Sequence, residues 1–410
     1  MLKKKQGVFI VPAMTRKYVL LILDGLGDYP VDALDGKTPV EAAHTPYLDQ
    51  LAQNGQTGLC VTTPVGMYTG SDNCIMGILG YEQHKYYTGR GPLEAAAVGI
   101  KLQSGDVCFR CNTLTIENGV MKDFTAGHIP TEESRQIILT LDDEIGSEDI
   151  RFFPGVSYRH LLVLKNRGAQ VKCTPPHDIT GKPVAEFFPC QHDDAEYLIK
   201  IMNQAKPVIE SHQVNRRRKE NGKLPVTDIW LWGAGSAIVM PPFLERFGLK
   251  GAMITAVDLL RGLAVLVGLK NIVVPGATGY IDTDYAAKGR YAIEALKEND
   301  FVCVHIEAPD ESGHMGNPHI KTKSIEEIDA KIVGPVLAHL KQSYPDFRVL
   351  VLPDHYTPCV LKTHSSEPVP FLIYGTGLGS NGSMGFSEKG VNQNHVVAHG
   401  YDLLPILFKP

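Results

Sequence analysis

No apolar run in this sequence approaches the roughly 20 residues needed to cross a bilayer, so no membrane-spanning helix is expected. There is no basic surplus either: 40 Lys and Arg stand against 45 Asp and Glu, a net charge of -5. That balance argues against a general nucleic-acid binder, which carries a basic footprint. The opening stretch, MLKKKQGVFIVPAM, lacks the long apolar core and small-residue cleavage site of a secretory signal. Residues 1–13 are therefore expected to be an extension, with Met14 an alternative start. Internal repeats, low-complexity tracts and a Walker A stretch are all missing. Cys108 and Cys111 make a lone C-x-x-C without a second pair or nearby His, too little for a zinc or redox site. The eight scattered thiols read as reduced and cytosolic, and a cytoplasmic location is the expectation.

What the chain does have is length and alternation. At 410 residues it exceeds what one hydrophobic core usually organises, so two domains, or a core with a large insertion, are expected. Tyr18 to Leu23 is a continuous apolar run ending at Asp24, as in a parallel strand buried on both faces. A helix with Ala42, Ala43, Leu48 and Leu51 on one face follows. Further on, Val257 to Leu269, Tyr291 to Leu296 and Lys331 to Leu340 read as helices. They alternate with strands at Ile272 to Val274, Phe301 to Ile306, Phe347 to Leu352 and Val369 to Tyr374. Such alternation predicts an α/β core with a largely parallel sheet flanked by helices.

The middle of the chain is different. Short strands such as Leu161 to Leu164 and charged helices such as Glu132 to Leu141 lie between polar, glycine-containing stretches near residues 105 and 225. These predict a smaller α+β domain over 105–225, inserted into a core made of 14–104 and 226–410. The two linkers would be hinges of a closing cleft.

Three predicted strands end in carboxylates: Leu23 runs into Asp24, Ile306 leads to Asp310, and Leu352 to Asp354. Ligands of open parallel sheets gather beyond the carboxyl ends of strands, so acids far apart in sequence can meet there. His314 (four after Asp310), His355 and His364 accompany them. Alone, each Asp is an ordinary turn or cap residue and each His an ordinary structural one. Together they form a mixed oxygen and nitrogen ligand set that suits Mn, Zn or Co better than Ca or Mg. Gly70-Ser71-Asp72 precedes an apolar helical run, which puts Ser71 at a helix start beside free backbone N–H groups. That is the place of a common N-cap, and equally of a nucleophile activated by a metal.

L-D-G-L-G-D at Leu23 to Asp28, G-S-D with I-L-G-Y at Gly70 to Tyr81, and Y-T-G-R-G-P at Tyr87 to Pro92 resemble the archaeal-type, cofactor-independent phosphoglycerate mutases of the alkaline phosphatase superfamily. A-P-D-E-S-G-H (Ala308 to His314), P-D-H (Pro353 to His355) and T-H-S-S-E-P-V-P-F (Thr363 to Phe371) match that family's metal motifs in the same order. The resemblance implies an alkaline-phosphatase-like core and two divalent cations, with Mn2+ first and Zn2+, Co2+ or Mg2+ as alternatives. Asp24, Ser71, Asp354 and His355 would hold one ion; Asp310, His314 and His364 the other. It also implies that Ser71 takes the phosphoryl group of a phosphoglycerate and returns it to the other hydroxyl, without bisphosphoglycerate.

Some segments depart from the archaeal pattern. Asp123 to His128 (D-F-T-A-G-H) stands where that pattern carries arginines, and this stretch looks closer to a bacterial branch proposed to phosphorylate homoserine. Basic candidates for holding the substrate are Arg90, Arg110, Arg159, His177 and Arg217, each also readable as a surface charge or ion pair. The expected partner is a small phosphorylated metabolite, and oligomeric state is not readable. Three enzyme readings follow: a phosphoglycerate mutase, a kinase-like phosphotransferase on a small alcohol such as homoserine, and a phosphomonoester hydrolase. A non-catalytic metal- or phosphate-binding protein is the reading from another class.

Overall fold

The computed structural model describes residues 16–409, so the extension expected over 1–13 lies outside the described residues. The main sheet is built from β1 (Lys17–Leu23), β2 (Gln56–Cys60), β8 (Gly251–Ile254), β9 (Lys270–Ile272), β10 (Phe301–Ile306), β11 (Phe347–Leu352), β12 (Val369–Gly375) and β13 (Val396–Val397). These eight strands lie in the order β13-β2-β12-β11-β1-β10-β8-β9. β1 runs parallel to both β10 and β11, with Ile22 opposite His305 on one side and Leu352 on the other. Val19, Leu21 and Leu23 pack into one apolar layer while Tyr18, Leu20 and Ile22 pack into another. The unbroken apolar run of β1 thus follows from burial on both faces.

β12 is the exception to the parallel arrangement, pairing antiparallel with β11 and β2. Its reversal places the start of β12 at the edge where β1, β10 and β11 end. His364, just upstream of β12, is delivered to that edge by this single change of direction.

A second, five-stranded sheet contains β3 (Asp106–Glu117), β4 (Val120–Asp123), β5 (Ile150–Phe153), β6 (Arg159–Lys165) and β7 (Asp228–Ser236). Its core includes Phe109, Ile137, Ile138, Leu162 and Trp230. This layer does not stop at residue 225, because β7 pairs with β3 from Leu114↔Asp228 to Val107↔Ser236. The stretch near 225 is also tied down: Asn215 Nδ2 donates to Val226 O at 2.7 Å, and Val226 N donates back to Asn215 Oδ1 at 2.9 Å. The linker expected there lies inside the second layer, whose far boundary falls past Ser236. Cys108 and Cys111 are buried, unpaired residues of β3.

Several predicted elements shift. The helix expected from Ala42 to Leu51 is two helices, Pro39–Ala42 and Pro46–Asn54. Pro46 disfavours a helical conformation at Thr45, which breaks the run. The strand expected at Ile272 to Val274 ends at Ile272, and Val273 is exposed. The helix expected at Lys331 to Leu340 belongs to a longer rod. Pro318–Ile328 passes through a wide turn at Asp329–Val333 into Gly334–Ser343. Asp329 there accepts from the backbone N–H groups of Tyr47 and Leu48, at 3.2 and 2.7 Å, and so caps the helix Pro46–Asn54.

Candidate metal centre and nucleophile

The site lies at the carboxyl edge of the main sheet. Asp24 N still donates to Ile306 O at 3.0 Å, so Asp24 extends the β1 ladder by one residue before the chain turns at Gly25. Gly25 has φ of +60°, and a Cβ there would lie 2.6 Å from Asp310 Oδ1 and 2.5 Å from Thr357 Oγ1. Only glycine lets the β1 turn approach Asp310 so closely. Asp354 leaves β11 fully buried, its Oδ1 accepting from Gly25 N at 3.1 Å and His355 N at 2.9 Å. Ser71 opens the helix Ser71–Ile78, whose N-cap is Gly70.

The residues nominated from sequence converge. Ser71 Oγ is 3.2 Å from Asp24 Oδ2 and 3.3 Å from His355 Nε2. His355 Nε2 is also 3.3 Å from Asp354 Oδ2. In a neighbouring group His314 Nε2 lies 3.2 Å from Asp310 Oδ2 and 3.0 Å from His364 Nε2, while His364 Nε2 is 3.5 Å from Asp310 Oδ1. In each trio, Asp24-Asp354-His355 and Asp310-His314-His364, the potential ligand atoms lie within 4.8 Å of one another.

This donor set fits divalent cations on two independent grounds. First, Asp24 Oδ1 and Asp354 Oδ2 are buried without any hydrogen-bond partner, although buried oxygens are ordinarily satisfied. Secondly, all three imidazoles turn Nδ1 toward a backbone carbonyl: Lys362 O at 3.0 Å for His314, Thr69 O at 3.2 Å for His364 and Tyr356 O at 3.3 Å for His355. An Nδ1–H donated there leaves the Nε2 lone pair free, as metal-ligating histidines require. Charge points the same way. Burial, then the Asp354 charge, pushes the Asp24 carboxyl well above its ordinary range. That acid pair is short of positive charge. In the other group burial opposes ionisation of Asp310, but hydrogen bonds from His314 and His364 outweigh it and hold the carboxyl well below its own range. The hydrogen bond to Asp310 raises His314 to about 9, so a cation binding there would take the place of a proton on Nε2.

His305 and Glu307 escaped the sequence analysis. His305 is fully buried in β10, its Nε2 2.7 Å from Asp24 Oδ2 and 3.4 Å from Glu307 Oε2, its Nδ1 3.2 Å from Thr255 Oγ1. Burial lowers its pKa to about 3, so the ring is neutral. Behind it, the ammonium of fully buried Lys288 donates to His305 O at 3.1 Å. A histidine in the otherwise apolar run F-V-C-V-H-I was the available signal, since a buried imidazole needs a partner.

The basic candidates divide. Arg90, Arg110 and Arg159 line one cavity of about 440 Å3 together with Glu94, Ala256, Val257 and Asp258. Arg110 lies 4.1 Å over the Trp232 ring, and its Nε is 3.0 Å from Glu94. His177 meets the same Trp232 ring edge-on at 5.3 Å but does not line the cavity. Arg217 is elsewhere, donating to Gln136 Oε1 at 3.3 Å beside Glu133 and Arg218. Its place on a solvated helix face separates it from the other arginines.

Residues 52–215 match the family described as 2,3-bisphosphoglycerate-independent phosphoglycerate mutase. A relative of that name from Methanosarcina barkeri is 49% identical over 396 residues, 96% of this chain and 99% of its own. Another from Thermococcus kodakarensis is 36% identical, covering 96% of each chain. A solved protein of Pyrococcus horikoshii superposes with a TM-score of 0.80 at 31% identity, covering 96% of this chain and 97% of its own. The cofactor-independent phosphoglycerate mutase of Thermoplasma acidophilum gives 0.67 at 28% identity, covering 96% and 98%. With almost half of the residues shared along the full length of both partners, and the same fold in two solved structures, the chain belongs to the 2,3-bisphosphoglycerate-independent phosphoglycerate mutase family.

Proposed function

We propose that this protein interconverts 2-phosphoglycerate and 3-phosphoglycerate by lending the phosphoryl group to Ser71. The observation that carries this reading is the seat of Ser71 Oγ, 3.2 Å from Asp24 and 3.3 Å from His355 at the start of its helix. We assign Asp24, Ser71, Asp354 and His355 to one divalent ion and Asp310, His314 and His364 to a second. Mn2+ suits this mixed oxygen and nitrogen set best, with Zn2+, Co2+ and Mg2+ as alternatives. Bound there, the pair would neutralise the phosphoryl oxygens and stabilise charge on the attacking and leaving oxygens.

The chain's own residues do the rest. Ser71 Oγ gives up its proton and attacks phosphorus as the bond to the glycerate oxygen breaks, and the freed glycerate oxygen takes up that proton to become a hydroxyl. Asp24 Oδ2 is placed to accept the serine proton. His305 fixes that carboxylate from the other side. The other glycerate hydroxyl then gives up its proton and bonds to phosphorus as the ester on Ser71 breaks, Ser71 Oγ regains a proton, and no water is consumed. The substrate side comes from the second sheet, through Arg110 and Arg159, and from Arg90 at the start of the helix Arg90–Ala97, the three holding the carboxylate while the glycerate turns. Three arginines in one cavity favour an acid substrate over homoserine, despite the missing arginines at Asp123 to His128.

Purified protein with Mn2+ and 3-phosphoglycerate, followed by phosphorus NMR, tests the reading. Formation of 2-phosphoglycerate without free phosphate, abolished in Ser71→Ala, is expected. Release of phosphate in step with substrate loss would make it a hydrolase. Homoserine-dependent ADP formation from ATP, without isomerisation, would make it a kinase-like enzyme.

A further inference from the structure

The residue after the nucleophile has an environment that phosphoryl transfer alone does not explain. Asp72 is 1% exposed, and one of its oxygens, Oδ2, collects three donors. Tyr87 Oη donates to it at 2.6 Å, Arg90 Nε at 3.2 Å, and Tyr68 Oη also donates to it. The two phenols are in turn 2.5 Å apart. The other oxygen, Oδ1, is buried without a partner on the Gly70 side, where a Cβ would lie only 3.0 Å away. Arg90 is gripped by one nitrogen only. Nε is used on Asp72 and Tyr68, and the guanidinium lies 5.4 Å over the Tyr68 ring. Among the described residues its two terminal nitrogens have no hydrogen-bond partner, while the side chain is 32% exposed and lines the arginine cavity.

An arginine fixed at Nε with both terminal nitrogens free offers them as a fork to a carboxylate or phosphate. Left to itself the long side chain would sample many rotamers, and binding would have to order it. We propose that Asp72, with Tyr68 and Tyr87, is a positioning residue that presets Arg90 to grip the acidic end of the substrate. The inference rests on the phosphoglycerate reading above. On this view Asp72 never touches substrate. It acts through Arg90, and its adjacency to Ser71 fixes the spacing between the phosphoryl-accepting oxygen and the anion-holding fork.

A double-mutant cycle separates this role from simple scaffolding of the loop. Asp72→Asn is expected to raise KM for 3-phosphoglycerate about tenfold while kcat falls less than about threefold, the signature of lost substrate binding. Arg90→Met should raise KM further, and Asp72→Asn added to it should do nothing more, because the residue it positions is gone. Tyr87→Phe, which removes one hydroxyl and keeps the ring, should raise KM a few-fold and fall silent in the Arg90→Met background. It also keeps the test alive if Asp72→Asn misfolds. Independent, multiplying effects of Asp72 and Arg90, or an unchanged KM in both Asp72→Asn and Tyr87→Phe, would overturn the proposal. Absence of isomerisation by the unsubstituted enzyme would fell the proposed function and this inference together. Normal turnover with multiplying effects would fell this inference alone.

Discussion

At the scale of single residues, the His305 imidazole shows how much of the centre depends on groups outside the two nominated trios. Its Nε2 lies 2.7 Å from Asp24 Oδ2, while Asp24 Oδ1 is buried without a partner. Removing such an orienting partner typically lowers metal affinity about 10- to 100-fold. His305→Ala should therefore weaken Mn2+ binding by that margin in calorimetric titration, with the Asp310 group less affected. Equal loss at both groups would mean that the histidine merely holds the fold. The seven nominated residues that meet here were visible in the sequence because six sit just past a predicted strand, or before one, and Ser71 follows Gly70 at the start of a predicted helix. His305 was not, because a period-based reading sees only its apolar neighbours Val304 and Ile306. Arg217 misled for the opposite reason, since charge in a sequence carries no direction.

Helices and strands follow the sequence well where pattern alone decides them. Phe301–Ile306 and Phe347–Leu352 have the bounds their apolar runs predict. Where two elements press together, the sequence is silent. The helix Asp258–Leu266 was visible as an apolar run, but not that it packs on the helix Arg90–Ala97 at Gly262, where a Cβ would come within 1.8 Å of Leu93 O. Backbone there cannot yield as a flexible side chain would. Gly262→Val should destabilise the protein by about 2 kcal/mol or more, read as a lower melting temperature. It should also raise KM, because Arg90 begins the displaced helix. A variant as stable as the parent would show that the two helices separate freely.

Across the whole molecule, contacts between distant parts of the chain decide both stability and assembly. Glu388 accepts from Asp28 N at 3.1 Å and Thr38 Oγ1 at 2.7 Å, tying the C-terminal region to the first loop. Burial pushes its carboxyl from the ordinary 4.5 up to about 7. The folded state thus keeps a proton that the unfolded chain loses. The stability this contributes is full below pH 4.5 and is lost as pH rises through about 7. Glu388→Gln should gain on the parent by on the order of 2 kcal/mol between pH 5 and pH 8, measured by denaturation. A gap that stays constant with pH would count against a buried acid there. The alternation of elements announced the main sheet, but no local signal marked β7 as the closing strand of the second one. Its partner β3 lies more than a hundred positions upstream. The reversed strand β12 has a further consequence. Because it draws His364 to the same edge as Asp24, the cation sites cannot be completed until nearly the entire polypeptide has emerged and folded. A ribosome-bound chain stopped before Pro353 carries Asp24, Ser71, Asp310 and His314 but neither full trio, so on the proposed ligand assignment metal capture by the newborn protein would report that His364 has left the ribosome.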